Sequence, residues 1–323
     1  ISQKAYEALP QRFDPTDFDA EAWVRAASNA GMRYIVFTSK HHDGYCMFDA
    51  PGTDYKITNS SFGRDIVAEL ADACRKHKMR FGLYYSPPDL HHPGYRDTRV
   101  LARTNWQGQP ERPEWGTYLD YMEGHLRKLL TAYGHICVVW FDGLFDQQKY
   151  DPDRFHRLIK ELSPDTLIND RLGGNGDYIT PEQGIPDGVP VKEKADFKPT
   201  EFEADLFDKF MRALRTPILR RIIRRKIRKA AVEQRPLSPV ATEILPQKEN
   251  SLPWETCMTM NRTWGFCPTD KDWKSGSALV HSLAKVVSKG GNFLLNVGPK
   301  PDGTLPSEAL DRLAEVGRWM EAC

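Results

Sequence analysis

The sequence predicts an α/β fold, a (β/α)8-like barrel of the TIM type carrying one helical insertion. Three observations lead there. Short apolar runs alternate with longer amphipathic segments, polar residues gather at the C-terminal ends of those runs, and one long basic stretch interrupts the alternation. Strand–helix alternation at this length favours a parallel barrel, with a doubly wound sheet left open by pattern alone. The chain contains no GxGxxG or Walker-type loop, which weakens nucleotide-binding readings.

The apolar runs come first. Residues 32–39 (MRYIVFTS), 79–86 (MRFGLYYS), 136–141 (ICVVWF), 166–168 (TLI) and 292–297 (NFLLNV) read as buried parallel strands. Between them, residues 17–30, 64–77, 115–133, 152–162 and 275–288 repeat their apolar positions at helical spacing, and a last helix starts near Ser307. Asp151 followed by Pro152 marks a helix start, since the aspartate caps free N–H groups and proline needs none. These elements divide the chain into barrel (1–186), insertion (187–250) and barrel again (251–323).

The insertion carries a helical pattern over about residues 201–234, interrupted at Pro217. Ten basic residues fall within residues 212–235, opposite Ile218, Ile222, Ile223 and Ile227. A solvated face of a packed amphipathic helix is the plain reading. The sharper one is attraction for an anionic polysaccharide or an acidic membrane surface.

Composition narrows the class further. With 323 residues, 40% hydrophobic and 28% charged, the chain has the make-up of a globular protein. A net charge of +1 gives no reason to expect nucleic acid as a partner. No run of eighteen apolar residues is present. The chain opens on Ile1 rather than Met, as a processed or truncated sequence would, leaving any targeting peptide out of view. Six cysteines lack CxxC spacing, which argues against a zinc ribbon, although Cys257 and Cys267 are a candidate pair in an oxidising compartment.

Catalytic groups of a parallel barrel project from the C-terminal ends of its strands. Applied in order, that rule delivers Lys40, His41, His42 and Asp43; then Tyr84, Tyr85, Ser86, Asp89, His91 and His92; then Trp140 and Asp142; then Asn169, Asp170 and Arg171, with Glu182 beyond. Each alone has a structural reading: a carboxylate as helix cap, an arginine in a local ion pair, a tyrosine in the core. Together they describe a polar, sugar-sized site, with Trp140 and Trp264 as apolar wall.

Seven blocks then resemble glycoside hydrolase family 29, the α-L-fucosidases. They are residues 18–50, 80–86 (RFGLYYS), 139–143 (VWFDG), 169–173 (NDRLG), 176–183 (GDYITPEQ), 253–261 (PWETCMTMN) and 290–306 (GGNFLLNVGPKPDGTLP), in the family's order. The resemblance implies a retaining exo-α-L-fucosidase that acts on fucosylated oligosaccharides or glycoconjugates outside the cytoplasm, without cofactor or metal. It implies that Asp142 is the nucleophile. His41, His42, Tyr84 or Tyr85, Trp140, Arg171 and Trp264 would meet the sugar. Glu182 is the choice for acid/base, with Glu255 second, and Glu182 is expected to lie less close to cations than Asp142.

The sequence also departs from the family. The FIHWG-like block and the Glu-Trp pair that open its members are not seen, so the first barrel strand is expected to be missing, and the C-terminal β-sandwich common in the family has no counterpart. Two further readings follow: a catalytically inactive fucose- or glycan-binding barrel, and a metal-dependent hydrolase using His41, His42, His91, His92 and Asp142. If the basic insertion recruits anionic glycans, activity on a sulfated substrate falls steeply with added salt while activity on a neutral one does not. Equal salt responses in paired rate measurements remove the idea.

Overall fold

In the computed structural model, the structure describes residues 3–97, 108–143, 147–186 and 253–322. The basic insertion and its expected helix lie outside the described residues. Everything described belongs to one compact unit, Ile1–Pro190 with Lys248–Cys323.

The elements follow in order: α1 (Gln3–Glu7), α2 (Ala20–Asn29), β1 (Tyr34–Lys40), α3 (Ile66–Lys76), β2 (Arg80–Tyr85), α4 (Trp115–Ala132), β3 (Val138–Phe141), α5 (Pro152–Leu162), β4 (Leu167–Ile168), β5 (Glu255–Thr259), α6 (Gly276–Ser288), β6 (Asn292–Asn296) and α7 (Ser307–Ala322). Helix starts follow capping chemistry. Side chains of Asp19, Asp65, Asp151 and Ser275 accept from Ala22, Ala68, Arg154 and Ala278 N–H groups.

Among the described residues every strand ladder is parallel. β1 to β4 lie in sequence order in one sheet, and β5 pairs with β6 in another. Single parallel bridges, Asn169–Tyr178, Ile179–Trp254 and Glu182–Cys257, carry the wall from β4 through residues 178–182 to β5. The result is a barrel of the (β/α)8 class. Between β6 and β1 no ladder occurs among the described residues, and the first four residues of β1 are only half buried.

Side-chain parity separates two cores. Phe81, Leu83 and Tyr85 of β2, with Val139 and Phe141 of β3, face outward onto the helices, beside Val67, Leu70, Leu126 and Phe155. Val138, Trp140, Tyr178 and Cys257 pack together inside, with Val36, Tyr84 and Leu294 against them. Alternation along a strand therefore sends Tyr84 and Trp140 one way and Tyr85 and Phe141 the other.

The β1–β2 register slips between Thr38 and Lys40, leaving Ser39 as the extra residue of a bulge. Its hydroxyl donates to the Tyr84 carbonyl at 2.7 Å. Just beyond, the fully buried Lys40 ammonium meets Asp89 at 3.1 Å and the Pro88 carbonyl at 3.3 Å. The other Asp89 oxygen accepts from the backbone N–H groups of His91 and His92. Burial would push the Asp89 carboxyl up, but Lys40 and these donors hold it below its ordinary range.

Cys257 and Cys267 are both free thiols, so the candidate pairing does not form. Cys257 lies inside the barrel, packed with Val138, Trp140 and Tyr178, while Cys267 lies on the partly exposed loop after β5.

His125 of α4 is fully buried: Nε2–H donates to the Pro51 carbonyl at 3.0 Å, leaving Nδ1 to accept from the Tyr85 hydroxyl at 3.1 Å. Burial pushes its pKa down to about 3, against 6.5 for a free histidine. Between those values the unfolded chain binds the extra proton, so stability is lost as pH falls below about 6.5. The expected loss from this group is about 1.4 kcal/mol per pH unit. His125→Gln should flatten the acid limb of a thermal-midpoint-against-pH plot, and an unchanged limb counts against this assignment.

Candidate active site

The end of β4 organises the site. Asn169 is completely buried, and its amide replaces a ladder rung: Oδ1 accepts from Phe141 N–H and Nδ2 donates to the Phe141 carbonyl, both at 2.9 Å. The backbone that delivers Asp142 is thereby clamped. Asp170 turns the other way and accepts from the Thr180 N–H at 3.0 Å and hydroxyl at 2.7 Å, anchoring the strand-like stretch that leads to Glu182. Arg171 then reaches both carboxylates. Its Nη1 meets Asp142 Oδ1 at 2.5 Å and its Nη2 meets Glu182 Oε2 at 2.9 Å.

Glu182 is therefore not remote from cations, contrary to the sequence expectation. Its bridge to Cys257 lays it beside β5, within reach of the same guanidinium. Arg171 is mostly buried, which would lower its pKa, but Asp142, Cys257 and Glu182 raise it above the ordinary value.

Asp142 keeps the inward parity of Val138 and Trp140. Its Oδ2 accepts from the Tyr84 hydroxyl at 2.6 Å. Burial first, and the facing Asp142 charge second, raise the Tyr84 pKa far above its usual value, so Tyr84 remains a donor. The next residue, Gly143, has φ +79°, and a Cβ there would collide with the His42 ring. Only glycine lets the His42 ring lie so close to the chain after Asp142.

His42 Nε2 stands 3.9 Å from Asp142 Oδ2. Its Nδ1 is bound to the Ser86 hydroxyl, and that hydroxyl donates its one hydrogen to the Pro88 carbonyl at 3.0 Å. Ser86 must therefore accept from Nδ1–H, which leaves a lone pair on Nε2 of the neutral ring. Burial, and then the neighbouring His41, push the His42 pKa down to about 4. His41 keeps one side open to solvent but stacks on Tyr84 at 5.6 Å, and the protein crowded around the rest of its ring lowers its pKa.

The remaining expected residues divide. Trp140 is a buried platform for the site: it stacks with Tyr84, carries the Arg171 guanidinium 4.5 Å from its ring centre, and is 4% exposed. Trp264, 40% exposed, sits on the loop after β5, which packs on Gly298 just past β6, at the same barrel end as the site. Tyr85 does not belong to the site. Its parity turns it outward, where it is fully buried against His125.

Glu255 also moves out of the acid/base role. It opens β5 rather than closing it, and its oxygens accept from Tyr34, the first residue of β1, and from Trp140 Nε1 at 2.9 Å. Burial raises its carboxyl pKa despite both bonds. His91 and His92 are likewise engaged elsewhere, with Glu7 and Tyr55 for the first and the Gly94 N–H and Tyr121 for the second.

One protein-family profile, α-L-fucosidase, matches residues 2–323. The chain belongs to the α-L-fucosidase family. Among curated relatives it is 25% identical to an α-L-fucosidase of Dictyostelium discoideum over 98% of this chain and 57% of the relative. It is 26% identical to the Bos taurus tissue α-L-fucosidase over 98% of this chain and 56% of the relative. It thus spans little more than half of those relatives. Among solved structures, α-L-fucosidase isoenzyme 1 from Paenibacillus thiaminolyticus aligns with TM-score 0.76 at 36% identity, covering 98% of this chain and 66% of that one. The Lactobacillus casei α-L-fucosidase in complex with its α-L-fucose product aligns at 0.71 and 25% identity, covering 100% and 86%.

The sequence places Ser86 at the end of its strand without showing that it orients His42, offers Cys257 only as a disulfide partner, and marks neither Tyr34 nor Thr180 as a site residue. Only the run of hydroxyl and carbonyl partners at the end of β2 hinted at the first. The buried role of Glu255 is testable by urea unfolding. Glu255→Ala leaves two donors unpaired, at roughly 1–3 kcal/mol each, whereas Glu255→Gln keeps an acceptor and should cost markedly less. Equal stabilities for the two variants contradict it.

Proposed function

We propose that this protein hydrolyses terminal α-L-fucosyl residues of glycans by double displacement, with Asp142 as nucleophile and Glu182 as acid/base. The observation that carries the reading is the single guanidinium of Arg171 gripping both carboxylates, at 2.5 and 2.9 Å, in a chain of the α-L-fucosidase family. A retaining mechanism needs two carboxyl groups about 5–5.5 Å apart, a separation one guanidinium can bridge.

In the first step an Asp142 oxygen attacks the anomeric carbon as the glycosidic bond breaks, and Glu182 passes its proton to the departing oxygen. Arg171 and the Tyr84 hydroxyl hold Asp142 in one orientation for that attack. Glu182 must leave Arg171, take up a proton from solvent and turn to the leaving oxygen, and its half-exposed side chain is open to all three. In the second step Glu182 takes a proton from water, which attacks the glycosyl ester and frees both sugar and Asp142. The neutral His42, with its Nε2 lone pair directed at the pocket, accepts from a sugar hydroxyl. Fucosylated glycans are met outside the cytoplasm, where this reading places the protein.

With Asp142, Glu182 and Arg171 assembled, the inactive-barrel alternative is not favoured. Assays on an aryl α-L-fucoside decide the matter. Asp142→Ala should lower kcat by about 10^3-fold or more. Glu182→Ala should lose no more than about 10^2-fold on a good leaving group, and azide should restore turnover. NMR of the first-formed sugar should show the α anomer. A β product, or an active Asp142→Ala, sinks the reading.

A further inference from the structure

Two acceptors face one another across the pocket. Neutral His42 carries its lone pair on Nε2, because Ser86 accepts from Nδ1–H, and that lone pair points toward Asp142 Oδ2 at 3.9 Å. Tyr84 and Arg171 already offset the Asp142 charge, but the His42 lone pair beside a carboxylate oxygen still suits a shared hydroxyl proton or cation between them. A third donor atom is at hand. One nitrogen of His41, one of His42 and one oxygen of Asp142 all lie within 4.8 Å of one another.

We propose that His41, His42 and Asp142 bind one zinc-like divalent cation, and that this cation and the sugar exclude each other from the pocket. The second half of the proposal rests on the function proposed above. Two imidazoles and a carboxylate form a common three-ligand set for zinc, leaving a fourth position for water. Zinc ligands lie about 2.0–2.2 Å from the metal, so the triad must close inward. His41 is packed by ring contacts with His42 and Tyr84 and is the most solvent-open of the three, so it is the member with most room to shift. The other two are already prepared. The Ser86 bond turns His42 Nε2 toward the metal position in the ligand tautomer, as a carboxylate or carbonyl does behind a zinc-bound histidine. Asp142 Oδ2 keeps its Tyr84 bond while offering a second lone pair, and Arg171 holds Oδ1 away.

The cation is an inhibitor here rather than a cofactor. It occupies the Asp142 oxygen beside Tyr84 and draws electron density from the carboxylate that must attack carbon. It also takes the histidine lone pair assigned to a sugar hydroxyl.

Titration of the metal-free protein with Zn2+ by calorimetry tests this, with Co2+ ligand-field absorption as a second readout. One equivalent should bind. His41→Ala and His42→Ala should each weaken binding by about 10-fold or more, and Ser86→Ala by about 10-fold through loss of the orienting bond. The exposed His41 makes its variant safe for folding, checked by thermal melting. Saturating L-fucose should reduce the apparent zinc affinity. Absent binding, or binding untouched by both histidine variants, overturns the site. Zinc binding that ignores L-fucose, in protein shown to bind that sugar, overturns mutual exclusion. Hydrolysis of the aryl fucoside in metal-free buffer is judged separately. If it is absent while zinc binding still follows the histidine variants, the fucosidase reading fails and the metal site stands.

Discussion

The backbone that presents Asp142 is held by a side-chain amide where a strand ladder has run out. The β3–β4 pairing ends after two residue pairs, at Val139 and Ile168. Asn169 then supplies both the donor and the acceptor that Phe141 lacks. A buried peptide without partners costs about as much as a lost hydrogen bond, so this clamp satisfies Phe141 and in doing so fixes the backbone just before Asp142. The three consecutive residues Asn169, Asp170 and Arg171 fix, in turn, the strand before Asp142, the stretch before Glu182, and the two carboxylates themselves.

A second clamp lies under the histidines. Lys40 and Asp89 are both removed from water, an arrangement tolerable only because each also satisfies backbone groups. Lys40 also stands 4.9 Å over the Tyr85 ring, so the outward tyrosine steadies the ammonium although it faces away from Asp142. Together with the bulge at Ser39, this pair joins the ends of β1 and β2. That is where the chain must turn His42 toward Asp142 and Ser86 toward His42.

Much of this was legible in the amino-acid order. The fully buried β3 and the mostly buried β2 read as apolar runs, and Asp151–Pro152 announced its helix to the residue. β5 was not read as a strand. Its inward positions carry Glu255 and Thr259 among buried neighbours, so the apolar signal that marks other strands is broken. Parity alone separates Tyr84 from Tyr85, but a reader needs one residue of known direction to use it, and that comes only from the packed interior. The sharing of Arg171 between residues 142 and 182 has no local signature. It depends on residues 178–182 running beside β5, a juxtaposition set across a long interval of chain.

Placing one guanidinium between two acids makes them a single electrostatic object. A change at either carboxylate alters the field and geometry felt by the other, so their separate contributions do not add. Sequence drift near Thr180 or Cys257, which also touch Arg171, would be felt at both carboxylates at once.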